Sequence, residues 1–412
     1  MDHPDIEKEF KYGAKNYAPL PLVIKKAKGS YMWDDKGNSY IDFVSAYSAV
    51  SLGHCNPRLA KALYLQSKTL DVTSRAFHND KLPGFLEALT DLAGYEKALP
   101  MNSGAEAVET ALKIARKWGE KIKKVPKNSG VIVCFENNFH GRTLGAVSLS
   151  TDPQYQDGFG PFLPNIIKIP FGKIDPLQEI FESNEHIVGV ILEPIQGEAG
   201  IIVPPENFLK EVRALCSKYN VLMIVDEIQT GMYRTGKLFC YQHEGIQPDM
   251  VCVGKALGGG IYPVSAVLTS TSIMDVITPG DHGSTFGGNP LACAVAFEAL
   301  SIMKEKRLDQ KVSRDEKLVR NILEANLRNL SIVKDIRGKG LFWGVEFIPE
   351  VPAKKVVKAL MAKGVLSKDT HESTIRLAPS LLISKKDLIK GLTALTETLS
   401  ALNHEFKSNT QK

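Results

Sequence analysis

Residues 221–260 read VLMIVDEIQTGMYRTGKLFCYQHEGIQPDMVCVGKALGGG. Two short apolar runs, 221–225 and 250–253, have the continuous β-branched character of strands buried on both faces of a parallel sheet. The first is followed by Asp226 and the second by Gly254 and Lys255. A carboxylate and an amine are therefore expected to meet at one sheet edge. In open α/β sheets the carboxyl ends of the strands are where ligands sit. Pyridoxal phosphate chemistry needs both groups there. A lysine forms the Schiff base, and an acid keeps the pyridine nitrogen protonated so that the ring withdraws electrons.

Two other motifs in the same stretch fail on inspection. Residues 231–237 spell G-x-x-x-x-G-K, but Leu238 stands where magnesium binding needs Ser or Thr. That loop also follows the acidic strand instead of joining an earlier strand to a helix. His243 and Glu244 begin H-E-x-x, with Gln247 in place of a second zinc histidine. Neither a nucleotide loop nor a zinc protease site follows.

The chain has 412 residues, 43% of them hydrophobic, enough for two or three domains with substantial cores. Its net charge of +5 is modest. The one basic cluster, 113–127, reads as a solvated helix face and following loop without an aromatic ladder, so no nucleic-acid partner is expected. The six cysteines, Cys55, Cys134, Cys216, Cys240, Cys252 and Cys293, form no C-x-x-C pair. Together with an acidic opening that lacks an apolar core, and with no run of membrane-spanning length, they lead to the expectation of a soluble cytoplasmic protein.

Upstream, apolar stretches on either side of Asp34-Asp35-Lys36-Gly37-Asn38 read as a β-hairpin or meander that must pack on another domain. Residues 57–93 read as mostly helical. In LPMNSGAEAVETALKIARKW, Ser103 and Glu106 have capping-box spacing ahead of a helical apolar period. Gly104 opens that helix with bare N–H groups suited to a phosphate. A strand at 131–135 delivers Phe139, His140 and Arg142 on ENNFHGRT, and another at 187–192 delivers Glu193, Gln196 and Glu198 on EPIQGEAG. Two acids on one loop also fit a glycosidase pair, but that reading leaves Lys255 without a task. A further strand covers YPVSAVLTS, and Pro290 marks a helix start after HGSTFGGNP. Beyond Met303 the alternation of charged helices with short strands reads as a smaller α+β domain.

SGAEA, FHGRT, EPIQGEAG, DEIQTG, GKALGGG and HGSTFGGNP, in this order, closely resemble the class III, ornithine aminotransferase-like branch of the fold-type I pyridoxal phosphate enzymes. The resemblance covers nearly the whole chain, and six ordered motifs make it specific. It implies an α/β fold-type I transferase: a large domain with a mostly parallel seven-stranded sheet and a small α+β domain. The boundaries expected are an N-terminal segment at 1–47 packing with the small domain, the large domain at 48–295 and the small domain at 296–412.

Position by position, the resemblance implies roles. Lys255 is the Schiff-base lysine and proton carrier, Asp226 the partner of the pyridinium nitrogen, and Gln229 the neighbour of the ring hydroxyl. Phe139 stacks on the ring. Ser103, Gly104 and Ala105 hold the phosphate from a helix N-terminus, while Ser284 and Thr285 reach it from a second subunit, which implies a homodimer or larger homo-oligomer. Tyr17, Tyr47 and Arg142 match residues at the α-amino and α-carboxylate end of ornithine. Arg376 matches the receiver of the α-carboxylate of glutamate or 2-oxoglutarate, and Glu198 the acid that masks it. The activity implied is transfer of the δ-amino group of L-ornithine to 2-oxoglutarate. Transfer from acetylornithine or GABA uses the same cofactor residues, and a cofactor-binding regulator is the non-enzymatic alternative. His140 replaces a tryptophan of some relatives and receives no catalytic role.

Overall fold

The computed structural model describes residues 3–410; Met1, Asp2, Gln411 and Lys412, which fall in the expected terminal segments, lie outside the described residues. An N-terminal meander comprises β1 (Ile24–Lys28), β2 (Tyr31–Asp34) and β3 (Ser39–Asp42), paired antiparallel in sequence order. The central sheet comprises β4 (Lys97–Met101), β5 (Val131–Phe135), β6 (Ile166–Ile169), β7 (Ile187–Leu192), β8 (Leu222–Asp226), β9 (Met250–Val253) and β10 (Ser265–Thr269). Its order is β4-β10-β9-β8-β7-β5-β6.

Strands β6, β5, β7, β8 and β9 are parallel. Strand β10 runs antiparallel to both β9 and β4. Two reversals cancel, so β4 points the same way as the parallel block. The loops after β4, β5, β7, β8 and β9 therefore all open on one edge. Every residue of β5, β7, β8 and β9 is buried. Each Val, Ile or Leu so covered stabilises the fold by roughly 1.5–3 kcal/mol, which fixes the strand ends that carry the polar residues.

A second, antiparallel sheet at the C-terminal end comprises β11 (Val333–Lys339), β12 (Phe342–Phe347), β14 (Lys368–Thr370) and β15 (Thr374–Leu377), in the order β11-β12-β15-β14. Between them β13 (Val365–Leu366) leaves this sheet and pairs in parallel with β3. The N-terminal meander thus finds its missing partner in the C-terminal part of the chain, as a segment unable to bury itself requires.

Residues 57–93 are mostly helical, as the sequence reading has it, but in two pieces: helices occupy Pro57–Ser67 and Leu82–Ala93, and 68–81 is turn and irregular chain. Asn56 and Asp152 cap their helices by accepting from Arg58 N and Gln154 N, and Asn79 accepts from Lys81 N and Leu82 N. Such side-chain competition for amides favours helix starts over helix interiors, and Asn79 begins a new helix instead of continuing the old one. Among the described residues no helix is long and apolar enough to cross a membrane.

Candidate active site

Asp226 closes β8, and its carboxylate is fixed from two sides. Oδ2 lies 2.7 Å from His140 Nδ1, and Oδ1 accepts from Ile228 N at 3.1 Å. His140 is buried; burial disfavours its charge, but the hydrogen bond to Asp226 prevails and raises its pKa. Its Nε2 finds no partner among the described residues. Lys255 follows β9 and Gly254 with φ +41, in the left-handed region, a strain of about 1–3 kcal/mol that a surrounding fold must hold. Burial pushes its amine below the usual lysine range, against the pull of Glu198 and with the help of Arg376.

These groups face a cavity of about 170 Å3, lined also by Gly104, Ala105, Phe139, Gly141, Glu193, Ile195, Gln229 and Thr230. Gly104 begins the Gly104–Trp118 helix behind a complete capping box: Ser103 Oγ accepts from Glu106 N at 3.2 Å, and Glu106 Oε2 accepts from Ser103 N at 2.7 Å. The hydroxyl of Ser103 is thereby occupied at the cap, while the Gly104 and Ala105 amides precede the reach of helical hydrogen bonding and are presented to an anion.

Buried Glu193, at the end of β7, links two loops. It accepts from Phe139 N at 2.9 Å and from Gly197 N at 3.1 Å. Burial pushes its carboxyl up to about 7, with His140 and the two amides pulling the other way. Gln229 packs so close to the second loop that a Cβ on Gly197 would lie 1.7 Å from its Oε1. Any larger residue there would have to displace the Gln229 amide.

Glu198 on that loop meets Arg376 on β15. Its Oε1 and Oε2 accept from Nη1 and Nη2, each at 2.8 Å, in a bidentate pair. Burial opposes ionisation of Glu198, yet the guanidinium wins and holds the carboxyl at about 2. The Arg376 side chain is only 1% exposed. Gly344 stands opposite Arg376 on β12, and a Cβ there would sit 3.0 Å from Gly200 O, so its absence lets the loop lie on the sheet. Thr370 Oγ1 donates to Glu198 O, and Arg337 donates to Gly200 O.

Tyr47 covers the pair from above, with Arg376 Cζ 5.1 Å from its ring centroid. It sits in a turn of four consecutive residues, Ser45 to Ser48, with φ of 47, 45, 58 and 75. Left-handed non-glycine residues cost roughly 1–2 kcal/mol each. The Asp42 carboxylate offsets part of that by accepting from Val44 N and Ser45 N, and Gln229 Nε2 approaches Tyr47 O at 3.4 Å.

The structure thus brings Lys255, Asp226, Gln229, Phe139, Gly104 and Ala105 to one cavity, with Glu198, Arg376 and Tyr47 adjoining. Arg142 is exposed at the rim, stacked on Tyr155. Tyr17 is 77% exposed in the N-terminal segment and does not line the cavity. Ser284 and Thr285 do not line it either; Ser284 Oγ accepts from Asn102 Nδ2 at 2.8 Å on an outer turn. Sequence reasoning gave no role to His140, Glu193 or Tyr155. His140 meets Asp226 across 86 residues, Glu193 meets Phe139 N across 54 and Tyr155 meets Arg142 across 13, and no local spacing encodes such contacts, although Glu193 was visible as an acid at a buried strand end.

A family model described as Aminotransferase class-III matches residues 12–399. An ornithine aminotransferase of Halalkalibacterium halodurans is 51% identical over 385 residues, covering 93% of this chain and 95% of that one. The crystal structure of ornithine aminotransferase from Toxoplasma gondii superposes with a TM-score of 0.96 at 40% identity, covering 97% of this chain and 95% of that one. An acetylornithine aminotransferase from Elizabethkingia anophelis gives 0.88 at 43% identity, covering 96% and 98%. With the model spanning nearly its full length and the same strand edge carrying the lysine and the acid, the chain belongs to the class-III aminotransferases.

Proposed function

We propose that the cavity takes pyridoxal phosphate and that the protein moves the δ-amino group of L-ornithine to 2-oxoglutarate. The products are glutamate and glutamate 5-semialdehyde, which cyclises to pyrroline-5-carboxylate. The residues present fit the cofactor: one amine of lowered pKa, one oriented carboxylate opposite it, bare helix amides for a phosphate and an aromatic ring in Phe139. When bound, the cofactor serves as an electron sink for charge developing on a substrate carbon.

The chain's own groups do the rest. Lys255 would hold the cofactor and would move the proton from the δ-carbon. Asp226, held by His140 and Ile228 N, would face the ring nitrogen, and Gln229 would serve the ring hydroxyl. Tyr17, Tyr47 and Arg142 take the α-amino and α-carboxylate end of ornithine.

The observation that carries the choice of amine is the Glu198–Arg376 pair. A free, buried guanidinium would seize ornithine's α-carboxylate and present the α-amine. Masked by Glu198, it leaves Arg142 as the available anion site, and the δ-amine reaches the reacting position. 2-Oxoglutarate then displaces Glu198 with its own carboxylate.

Ser284 and Thr285 belong to a second copy's phosphate site in this reading. Their outward position and the half-exposed ring of Phe286 beside them support a homodimer. The division at 1–47, 48–295 and 296–412 is part of the same reading, supported by the β13–β3 pairing. A cytoplasmic location accompanies it, supported by six cysteines that are all free.

The likeness to an acetylornithine enzyme favours one rival, and a donor comparison separates the two. The cofactor-loaded protein is titrated spectrally with ornithine, N-acetylornithine and GABA, and pyrroline-5-carboxylate is trapped. Ornithine should react fastest and yield the trapped product. A preference for N-acetylornithine would overturn the assignment.

A further inference from the structure

Arg142 is an exposed arginine that donates no hydrogen bond and forms no ion pair among the described residues. Its contact is with aromatic rings. Cζ lies over the Tyr155 ring, 3.6 Å from its centroid, and 5.5 Å from that of Phe139. The two rings pack edge to face, with centroids 5.9 Å apart at 80°. Phe139, Arg142 and Tyr155 therefore form one unit, and its first member faces the cofactor cavity.

Tyr155 sits on the short, one-turn Pro153–Gln156 helix, which Asp152 caps by accepting from Gln154 N at 2.8 Å. Gln156 Nε2 ties the turn down by donating to Ser150 O at 2.8 Å and Val147 O at 3.2 Å. Those carbonyls end the Leu144–Leu149 helix, which begins two residues after Arg142. One end of that helix thus carries the arginine and the other anchors the ring that covers it. Tyr155 is half-buried and also lines a neighbouring cavity of about 210 Å3 together with Glu198, so the ring stands between the two carboxylate-binding positions.

We propose that Tyr155 is a positioning residue that sets amine specificity by holding the Arg142 guanidinium flat and ready for the substrate α-carboxylate. The inference rests on the reading of Arg142 given above. An exposed arginine samples many rotamers and loses that freedom on binding. Stacking on a ring face removes most of it beforehand while leaving the N–H edges free for a bidentate carboxylate. Burial pushes the Tyr155 hydroxyl up, against the influence of Arg142, so the ring stays neutral around neutral pH.

The test uses the cofactor-loaded enzyme and three variants, Tyr155→Leu, Tyr155→Phe and Arg142→Ala, each checked for a parental visible spectrum. Tyr155→Leu should raise KM for ornithine about tenfold, with kcat within about twofold, the range of a partly desolvated cation–ring contact. Tyr155→Phe, which keeps the ring face, should restore the parental KM. In single turnovers 1,4-diaminobutane, which has no carboxylate, should react equally with parent and Leu variant. An unchanged ornithine KM in Tyr155→Leu, equal losses on both amines, or no rescue by Phe would overturn the proposal while leaving Arg142's role intact if Arg142→Ala raises KM. If Arg142→Ala leaves KM unchanged, the carboxylate reading itself falls, and the role of Tyr155 falls with it.

Discussion

Replacing Glu198 by Gln tests how the protein chooses between the two ends of its substrate. The substitution keeps size but removes the charge, and one of the two acceptors, that meet Arg376 at 2.8 Å. The Arg376 side chain is 1% exposed, so its guanidinium is largely shielded from solvent. Leaving one member of a buried pair uncompensated costs roughly 3–5 kcal/mol. Any ligand that brings a carboxylate to Arg376 recovers much of that cost. Glutamate does so productively, whereas ornithine does so by binding backwards. Taking the lower figure, the ratio of reactivity toward glutamate over ornithine should rise by about 100-fold, since each ~1.4 kcal/mol is a factor of ten. Single-turnover rates of cofactor-loaded parent and variant with each amino acid give the ratio directly. A ratio within threefold of the parent's, in a variant that retains the cofactor, would refute the masking argument.

Asp226→Ala should cripple both cofactor retention and turnover, because His140 and the helix start remain but the acid that shares the cavity with Lys255 is gone; visible absorbance after gel filtration and activity with added cofactor check the two losses separately. The Glu198–Arg376 pair also fixes a pH dependence. Since Glu198 is held at about 2, below its ordinary 4.5, its stabilising contribution is complete above about pH 5 and is lost as pH falls toward 2. The Tm difference between parent and Glu198→Gln should therefore stay constant from pH 9 to 6 and shrink in acid. Borohydride reduction of the loaded protein followed by peptide mass spectrometry should place the cofactor on Lys255 and on no other lysine.

The part of this architecture legible in the sequence is the part encoded by local pattern. Continuous apolar runs announced β5, β7, β8 and β9, and the residues that end them, Asp226, Glu193 and the Gly254–Lys255 step, were visible because charge interrupts such runs abruptly. The capping box at Ser103 and Glu106 was legible for the same reason, a fixed spacing with a fixed hydrogen-bond pattern. The direction of β10 was not, since an apolar run carries no arrow and antiparallel pairing to β9 is settled by the connection and the packing. The break at 68–81 was hidden because polar residues and an Asn cap look much like an exposed helix face in sequence. The contacts of Tyr155 on Arg142 and of His140 on Asp226 join separate loops, and only the closed sheet edge brings them together. The masking pair spans 178 residues and came through the resemblance, not from spacing.

The most direct test of the whole account follows the nitrogen itself. L-Ornithine carrying heavy nitrogen only at the δ position is incubated with 2-oxoglutarate and the cofactor-loaded protein, and both products are analysed by mass spectrometry. The account predicts labelled glutamate and unlabelled pyrroline-5-carboxylate. Unlabelled glutamate, with the heavy atom kept in the ornithine-derived product, would show that the α-amine is transferred and would contradict it.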